Sequence, residues 1–325
     1  MPTCVRPAGP SGRVPLEADW HPGVQARCCG GASPQGRPDA GSAGGDGLDL
    51  NEVEAVCRPG SRAEVPPWRP GDAPLAGGTW LFSEPQPGLR RLVDLTALGW
   101  PAAEVDADGL HLAATCTLAE LERLDLPADW PAASVLRPCC RALAGSFKVA
   151  GAATVGGNLC LALPASPVAA LAAALDGVCH VWTADGDGER AIPAAGFVLG
   201  ERRTALRPGE VLRRVSLPAA ALRRRAVLRR ASLTAYGRSA TLLIGTLDPG
   251  GAFALTVTAA VAAPVVLRLP ALPGADALAA ALARAIPEGA WWDDVHGSPA
   301  WRRHMTGLLA EEIRREFAQG VAPCG

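Results

Sequence analysis

The chain has 325 residues, 49% of them hydrophobic and 19% charged, which is enough apolar content for two domains with cores of their own. Its formal net charge is −1, so no electrostatic pull toward nucleic acid or an anionic membrane is expected. The alanine-rich stretches are broken by Pro, Asp or Arg within about 18 residues, short of a membrane span.

Residues 1–47 are rich in Gly, Pro, Ser, Ala and Arg, lack hydrophobic periodicity and read as a disordered extension. Leu48 to Cys57 reads as a short amphipathic entry. Ala73-Pro74-Leu75 is expected to be a buried strand running into a glycine pair, Ala76-Gly77-Gly78-Thr79. Strands follow at Leu92–Leu95 and Leu110–Ala114, then a short helix at Leu118–Leu124 with Thr117 as its N-cap. A second glycine pair stands in Thr154-Val155-Gly156-Gly157-Asn158. Ser166-Pro167 offers an N-cap followed by proline at the first helical position, and Val168 to Leu175 is apolar on every side, as a fully buried helix requires.

From Val211 the texture changes to a hairpin meander. Strands are expected at Val211–Leu217, Ala240–Thr246 and Phe253–Val257, with Asp248-Pro249-Gly250-Gly251 as a strong turn. Two helices, Asp276–Ile286 and Ser298–Ala318, close the chain, the second opened by Ser298-Pro299.

Two glycine pairs at the edges of hydrophobic segments are the main functional signal. Glycine lets the backbone adopt positive φ and approach a ligand closely, so successive N–H groups can converge on an anion. Together the two suggest a pyrophosphate clamp. The ten cysteines show no C-x2-C or C-x4-C spacing suited to zinc or an iron–sulfur cluster, and read mostly as buried small hydrophobes. The first residues lack an apolar signal core, so a reducing cytoplasm is the expected location. His111 and His180 fall in strand-like segments and read as structural.

The order of Pro74 to Phe82, Leu92 to Thr96, Thr115 to Leu121 and Ala153 to Cys160 resembles the FAD-binding (medium) subunit of the molybdenum hydroxylases, the family of xanthine dehydrogenase and carbon monoxide dehydrogenase. The resemblance runs from about Leu50 to Phe317. It implies an α+β chain: a two-subdomain α/β FAD-binding domain of the vanillyl-alcohol-oxidase-like (PCMH) type over 48–218, then a small C-terminal α+β domain with an antiparallel sheet and helices over 219–325. It also implies FAD as the cofactor on this chain, with molybdopterin on a large partner subunit and [2Fe–2S] clusters on a partner chain. Electrons would pass through the flavin to NAD or another acceptor, with no nucleic acid or membrane involved. No catalytic residue or metal ligand on this chain is implied.

Matched position by position, the cofactor-binding candidates are Leu75, Ala76, Gly77, Gly78, Thr79 and Trp80 in the first motif and Thr154, Val155, Gly156, Gly157 and Asn158 in the second. Backbone N–H groups are expected to do most of the work, aided by the Thr79 and Thr154 hydroxyls and the Asn158 amide. Arg229 falls where the family often keeps a basic residue near the flavin. Trp80, Leu161, Leu163 and Pro167 depart from the family's polar pattern. Two other readings stay open: an assembly subunit with a vestigial flavin fold whose apolar substitutions fill the cleft, and a stand-alone flavin oxidase with a His- or Cys-linked flavin.

Overall fold

A computed structural model of the protein describes residues 50–320. The extension expected at 1–47 lies outside them. The described chain opens with three short strands, β1 (Ala55–Cys57), β2 (Asp72–Leu75) and β3 (Arg91–Asp94), in a parallel sheet with β3 in the centre. Pro74 is accommodated because β2 is an edge strand and needs no ladder donor on its free side. Val93 and Leu95 are buried beside Val211, with Val65 and Trp68 packed against them.

The second sheet is built from β4 (Ala103–Val105), β5 (Gly109–Ala113), β6 (Val178–Trp182) and β7 (Glu189–Pro193). After a small hairpin, β8 (Val198–Gly200) and β9 (Arg203–Thr204), the strand β10 (Val211–Pro218) returns to its centre. The order is β4-β5-β10-β6-β7 and every pair is antiparallel. Leu110, Leu112, Cys179, Val181, Val215 and Leu217 are buried in one core, whereas His111, His180 and Ser216, which alternate with them, are half-buried on the opposite face.

Between β5 and β6 lie five helices: α1 (Leu118–Glu122), α2 (Leu136–Arg141), α3 (Phe147–Ala150), α4 (Val155–Leu161) and α5 (Pro167–Ala174). Thr117 caps α1 as expected, in a reciprocal box: its Oγ1 accepts from Glu120 N–H, and the Glu120 carboxylate accepts from Thr117 N–H. Ser166 caps α5, and all of α5 is buried.

After α6 (Ala219–Leu222) comes a four-stranded meander, β11 (Arg225–Ala231), β12 (Thr241–Leu247), β13 (Phe253–Thr258) and β14 (Val265–Leu269), followed by α7 (Ala275–Ala285) and α8 (Pro299–Ala318). Asp248 builds the β12–β13 turn by accepting from Gly250 N–H through its side chain and from Gly251 N–H through its carbonyl. β12 is buried from Thr241 to Thr246 because both of its faces are covered. Leu242 and Ile244 join the core shared with α5, and Leu243 joins the core shared with α7 and α8. Each such side chain contributes about 1.5–3 kcal/mol by leaving water. Gly245 allows α8 to approach, since a Cβ there would lie 2.3 Å from Ile313 Cγ2.

The start of α8 is fixed by Arg302, which is 1% exposed. Its Nε donates to Gly297 O at 2.8 Å, its Nη1 to Ala240 O at 2.7 Å and Ala259 O at 2.5 Å, and its Nη2 to Asp294. One buried cation thereby ties the entry of β12, the end of β13 and the turn before α8 together.

Candidate functional site

The two glycine motifs meet. A Cβ on Gly77 would lie 1.7 Å from Ala152 O, so the first loop rests on the backbone just before the second motif. Gly78 takes a φ of +67°, which turns the chain there. Phe82 N–H then donates to Gly78 O at 2.9 Å and Ser83 N–H to Trp80 O at 2.9 Å, closing the loop on itself.

A cleft of about 520 Å³ opens at this meeting point, within the range typical of cofactor pockets. Leu75 to Leu81 form one wall, and Thr154, Gly156, Gly157, Asn158, Cys160 and Leu161 another. Among the described residues, the N–H groups of Gly77, Gly78, Thr79, Trp80 and Leu81 have no hydrogen-bond partner. Unpaired backbone donors at a cleft are costly unless water or a ligand takes them, and consecutive ones in a turn form an anion-binding concavity.

The second motif differs from the expected loop. Thr154 is the N-cap of α4, its Oγ1 accepting from Gly157 N–H at 3.0 Å, and Val155 to Asn158 are the first turn of that helix. Val155 N–H donates to Cys116 O, Gly156 N–H to Ala114 O and Asn158 N–H to Thr154 O. All four N–H groups from 155 to 158 are therefore in use, and the expectation that they cradle an anion is corrected. Val155 is fully buried and does not line the cleft. Gly156 serves packing, since a Cβ there would lie 2.6 Å from Ala114 Cβ. Asn158 Oδ1 accepts from Ser166 Oγ at 2.6 Å and from Val168 N–H at 3.0 Å, which holds the start of α5. Its Nδ2 has no partner among the described residues.

Arg229 is also placed elsewhere. It lies on β11, pairs with Glu312 at 3.5 Å and with Glu316 on α8, and does not line the cleft. The arginines that do line it are Arg202 and Arg238. The Arg202 guanidinium stands 5.4 Å from the centre of the Trp80 ring and donates to Glu84 at 3.2 Å, bracing the outer end of the first loop. Arg202 itself has a φ of +54°, a left-handed turn residue between β8 and β9. Nothing local in the sequence signals this contact, because its partners are more than a hundred residues away. Trp80 Nε1 is buried without a partner.

Leu161 and Leu163 line the cleft and do not fill it. Glu210, another lining residue, is a carboxylate: burial would raise its pKa, but the Arg190 guanidinium and the Arg207 N–H outweigh it and hold it below the usual range. Cys160 is pushed up to about 12 by burial and stays a thiol.

A largely apolar cleft with a row of free N–H groups along one wall suits a cofactor that joins a flat aromatic ring to a pyrophosphate, and it defines this part of the molecule as a dinucleotide-cofactor domain. Residues 61–220 match the family model described as the FAD binding domain in molybdopterin dehydrogenase, and this segment belongs to that family. The chain is 33% identical over 121 residues to a xanthine dehydrogenase of Oryza sativa subsp. japonica, a match covering 35% of this chain and 9% of that protein's length. Among solved structures it resembles quinoline 2-oxidoreductase from Pseudomonas putida 86, with a TM-score of 0.66, 21% identity, and 82% of this chain and 97% of that chain covered. It also resembles a carbon monoxide dehydrogenase from Oligotropha carboxidovorans, with a TM-score of 0.63, 21% identity, and 75% and 90% covered. At these identities the structural likeness establishes the fold. No helix among the described residues is long and apolar enough to cross a membrane.

Proposed function

We propose that this chain is the FAD-binding electron-transfer subunit of a molybdopterin-dependent dehydrogenase, working in the cytoplasm with a large molybdopterin subunit and a [2Fe–2S] subunit. The row of unpartnered N–H groups from Gly77 to Leu81 carries the reading. FAD, when bound, supplies the redox chemistry by accepting electrons from the clusters and releasing them to NAD or another acceptor. The protein's part is to bind, orient and shield. The Gly77–Leu81 donors and the Thr79 hydroxyl would hold the pyrophosphate, Asn158 Nδ2 and Arg202 would add donors, and the apolar wall of Leu161, Leu163 and Leu212 would exclude water from the ring.

Two observations weigh against the other readings. The cleft is open where a vestigial fold would be filled by Leu161 and Leu163. Cys160, the cysteine in the cleft wall, has its thiol pushed up to about 12, which disfavours the thiolate that a covalent flavin link would need. The test is to purify the chain, record visible flavin absorption and identify the cofactor released by acid. FAD at about one per chain supports the reading. A folded chain that stays colourless after incubation with FAD overturns it, and mixing the reduced protein with NAD decides the acceptor.

A further inference from the structure

The outer face of the five-stranded sheet carries a row of side chains that the cleft does not use. Asp106 in the β4–β5 turn, His111 on β5, Ser216 on β10, His180 on β6 and Glu189 on β7 are joined in that order. His111 Nε2 lies 3.1 Å from both Asp106 carboxylate oxygens, and His111 Nδ1 lies 2.7 Å from Ser216 Oγ. Ser216 Oγ is 3.0 Å from His180 Nε2, and His180 Nδ1 is 3.0 Å from Glu189 Oε1. The rings are shielded, at 13% and 20% side-chain exposure, while the two carboxylates at the ends reach solvent.

Each contact along this row needs one hydrogen. An ionised carboxylate only accepts, so both outer ring nitrogens must donate. Two neutral rings would then turn bare inner nitrogens toward Ser216, whose hydroxyl has a single hydrogen to give. One added proton completes the row. The groups around it indicate which ring takes it. Burial, followed by Arg214 and His111, outweighs the Glu189 bond and holds the His180 pKa below the usual histidine value. Asp106 is kept below the usual carboxylate range, first by its bond to His111 and then by Asp108 N–H. Glu104 on β4 stands in register with His111, and Arg214 on β10 in register with His180. Two further cations nearby are engaged by aromatic rings: Arg213 is stacked 4.2 Å from the centre of the Trp100 ring, and Arg62 lies 4.7 Å from the centre of the Trp182 ring, whose residue is in register with Glu189.

We propose that these five side chains form a one-proton relay, in which His111 is a doubly protonated imidazolium donating to Asp106 and to Ser216, and Ser216 donates its own hydrogen to a neutral His180. The proton fastens β5, β10, β6, β7 and the β4–β5 turn to one another. Removing it leaves two acceptors facing at Ser216–His111. Adding a second, on His180, takes away the acceptor of the Ser216 hydroxyl. The relay therefore makes the face of this sheet responsive to pH in both directions.

The test uses the full chain with ¹⁵N-labelled histidine rings, read by long-range ¹H–¹⁵N correlation at a pH of about 6.5, where an ordinary histidine is half protonated. Signals are assigned with His111→Gln and His180→Gln. The expected result is a His111 with both nitrogens protonated beside a His180 with only Nδ1 protonated. Ser216→Ala should lower the imidazolium fraction of His111 at least about twofold, and Ser216→Thr, which keeps the hydroxyl, should preserve it. Two rings that titrate together, or a His111 signal unchanged in Ser216→Ala, would overturn the proposal. If Ser216→Ala does not fold, a neutral His111 in the unaltered chain at that pH overturns it alone.

Discussion

Replacing Gly77 by alanine tests the contact between the two motifs. The added Cβ would sit 1.7 Å from Ala152 O and 2.6 Å from Ala152 C. Both are backbone atoms, so no side-chain rotation relieves the clash, and the loop must open by roughly 1.5 Å to regain van der Waals distance. Overpacking of this kind costs about 1–3 kcal/mol. For a chain of 325 residues that corresponds to a fall in Tm of about 1–5 °C. The loop that moves is the one bearing the free N–H groups. Losing one or two bonds to a charged phosphate, each worth about 1.5–3 kcal/mol, should weaken FAD binding at least about tenfold. Thermal unfolding of the cofactor-free chain measures the first effect, and quenching of flavin fluorescence on titration measures the second. Gly196→Ala is the control, because nothing lies within 4 Å of its added Cβ. A Gly77→Ala chain with unchanged Tm and FAD affinity within about twofold of the parent would refute both the contact and the role given to the loop.

Other outcomes follow from single groups. Trp80→Phe removes an unpartnered buried donor, so the cofactor-free chain should keep its stability or gain up to about 1 kcal/mol in urea unfolding. A drop in FAD affinity in the same variant would show that the indole N–H finds its partner on the cofactor. Arg302→Met strips donors from three carbonyls and removes the ion-pair partner of Asp294, whose carboxylate keeps only its bonds from Trp292 Nε1 and His296 N–H, and should cost about 3–5 kcal/mol in the same assay. Burial pushes Cys116, Cys140 and Cys179 up to about 12, so a thiol reagent at mildly alkaline pH should label them only after unfolding. Glu311 is held at about 2, first by its bond to Arg314 and then by Arg315. Its folded value is depressed, so its stabilising effect is present above the usual carboxylate range and is lost as pH falls toward 2; Glu311→Gln should flatten that limb of the acid-unfolding curve.

The elements legible in the sequence were those whose local chemistry agrees with their tertiary setting. The Thr117 box, the Ser166-Pro167 start of α5, the Asp248 turn and the Ser298-Pro299 start of α8 each carry a cap or a turn residue that acts on its own neighbours. Strands β7 and β11 were harder to read, because Glu189 and Arg229 are polar residues whose places in their sheets are secured by partners on other elements. The same reason explains Arg229 itself. A basic residue at a plausible spacing is indistinguishable in sequence from one that faces a cofactor, and only α8 folding over β11 brings Glu312 and Glu316 to it. Arg202 is the converse case, a residue with no motif around it that reaches Trp80 because the β8–β9 turn closes over the first loop.

The glycine motifs show why similar words in a sequence need not do similar work. Both pairs allow close approach, and at both the missing Cβ would strike another segment. What separates them is where their N–H groups go. Thr154 converts its motif into a helix start, and a helix start resting on Ala114 and Cys116 uses up its donors in the fold. The first motif has no such cap; Gly78 turns the chain at positive φ, and the donors from Gly77 to Leu81 are left over. The second motif is therefore the base and the first the cradle. A substitution in the second that adds a Cβ against Ala114, such as Gly156→Ala, should lower stability and FAD affinity together. If Gly156→Ala weakened FAD binding with no change in Tm, this division of labour would be wrong and the second motif would have to contact the cofactor directly.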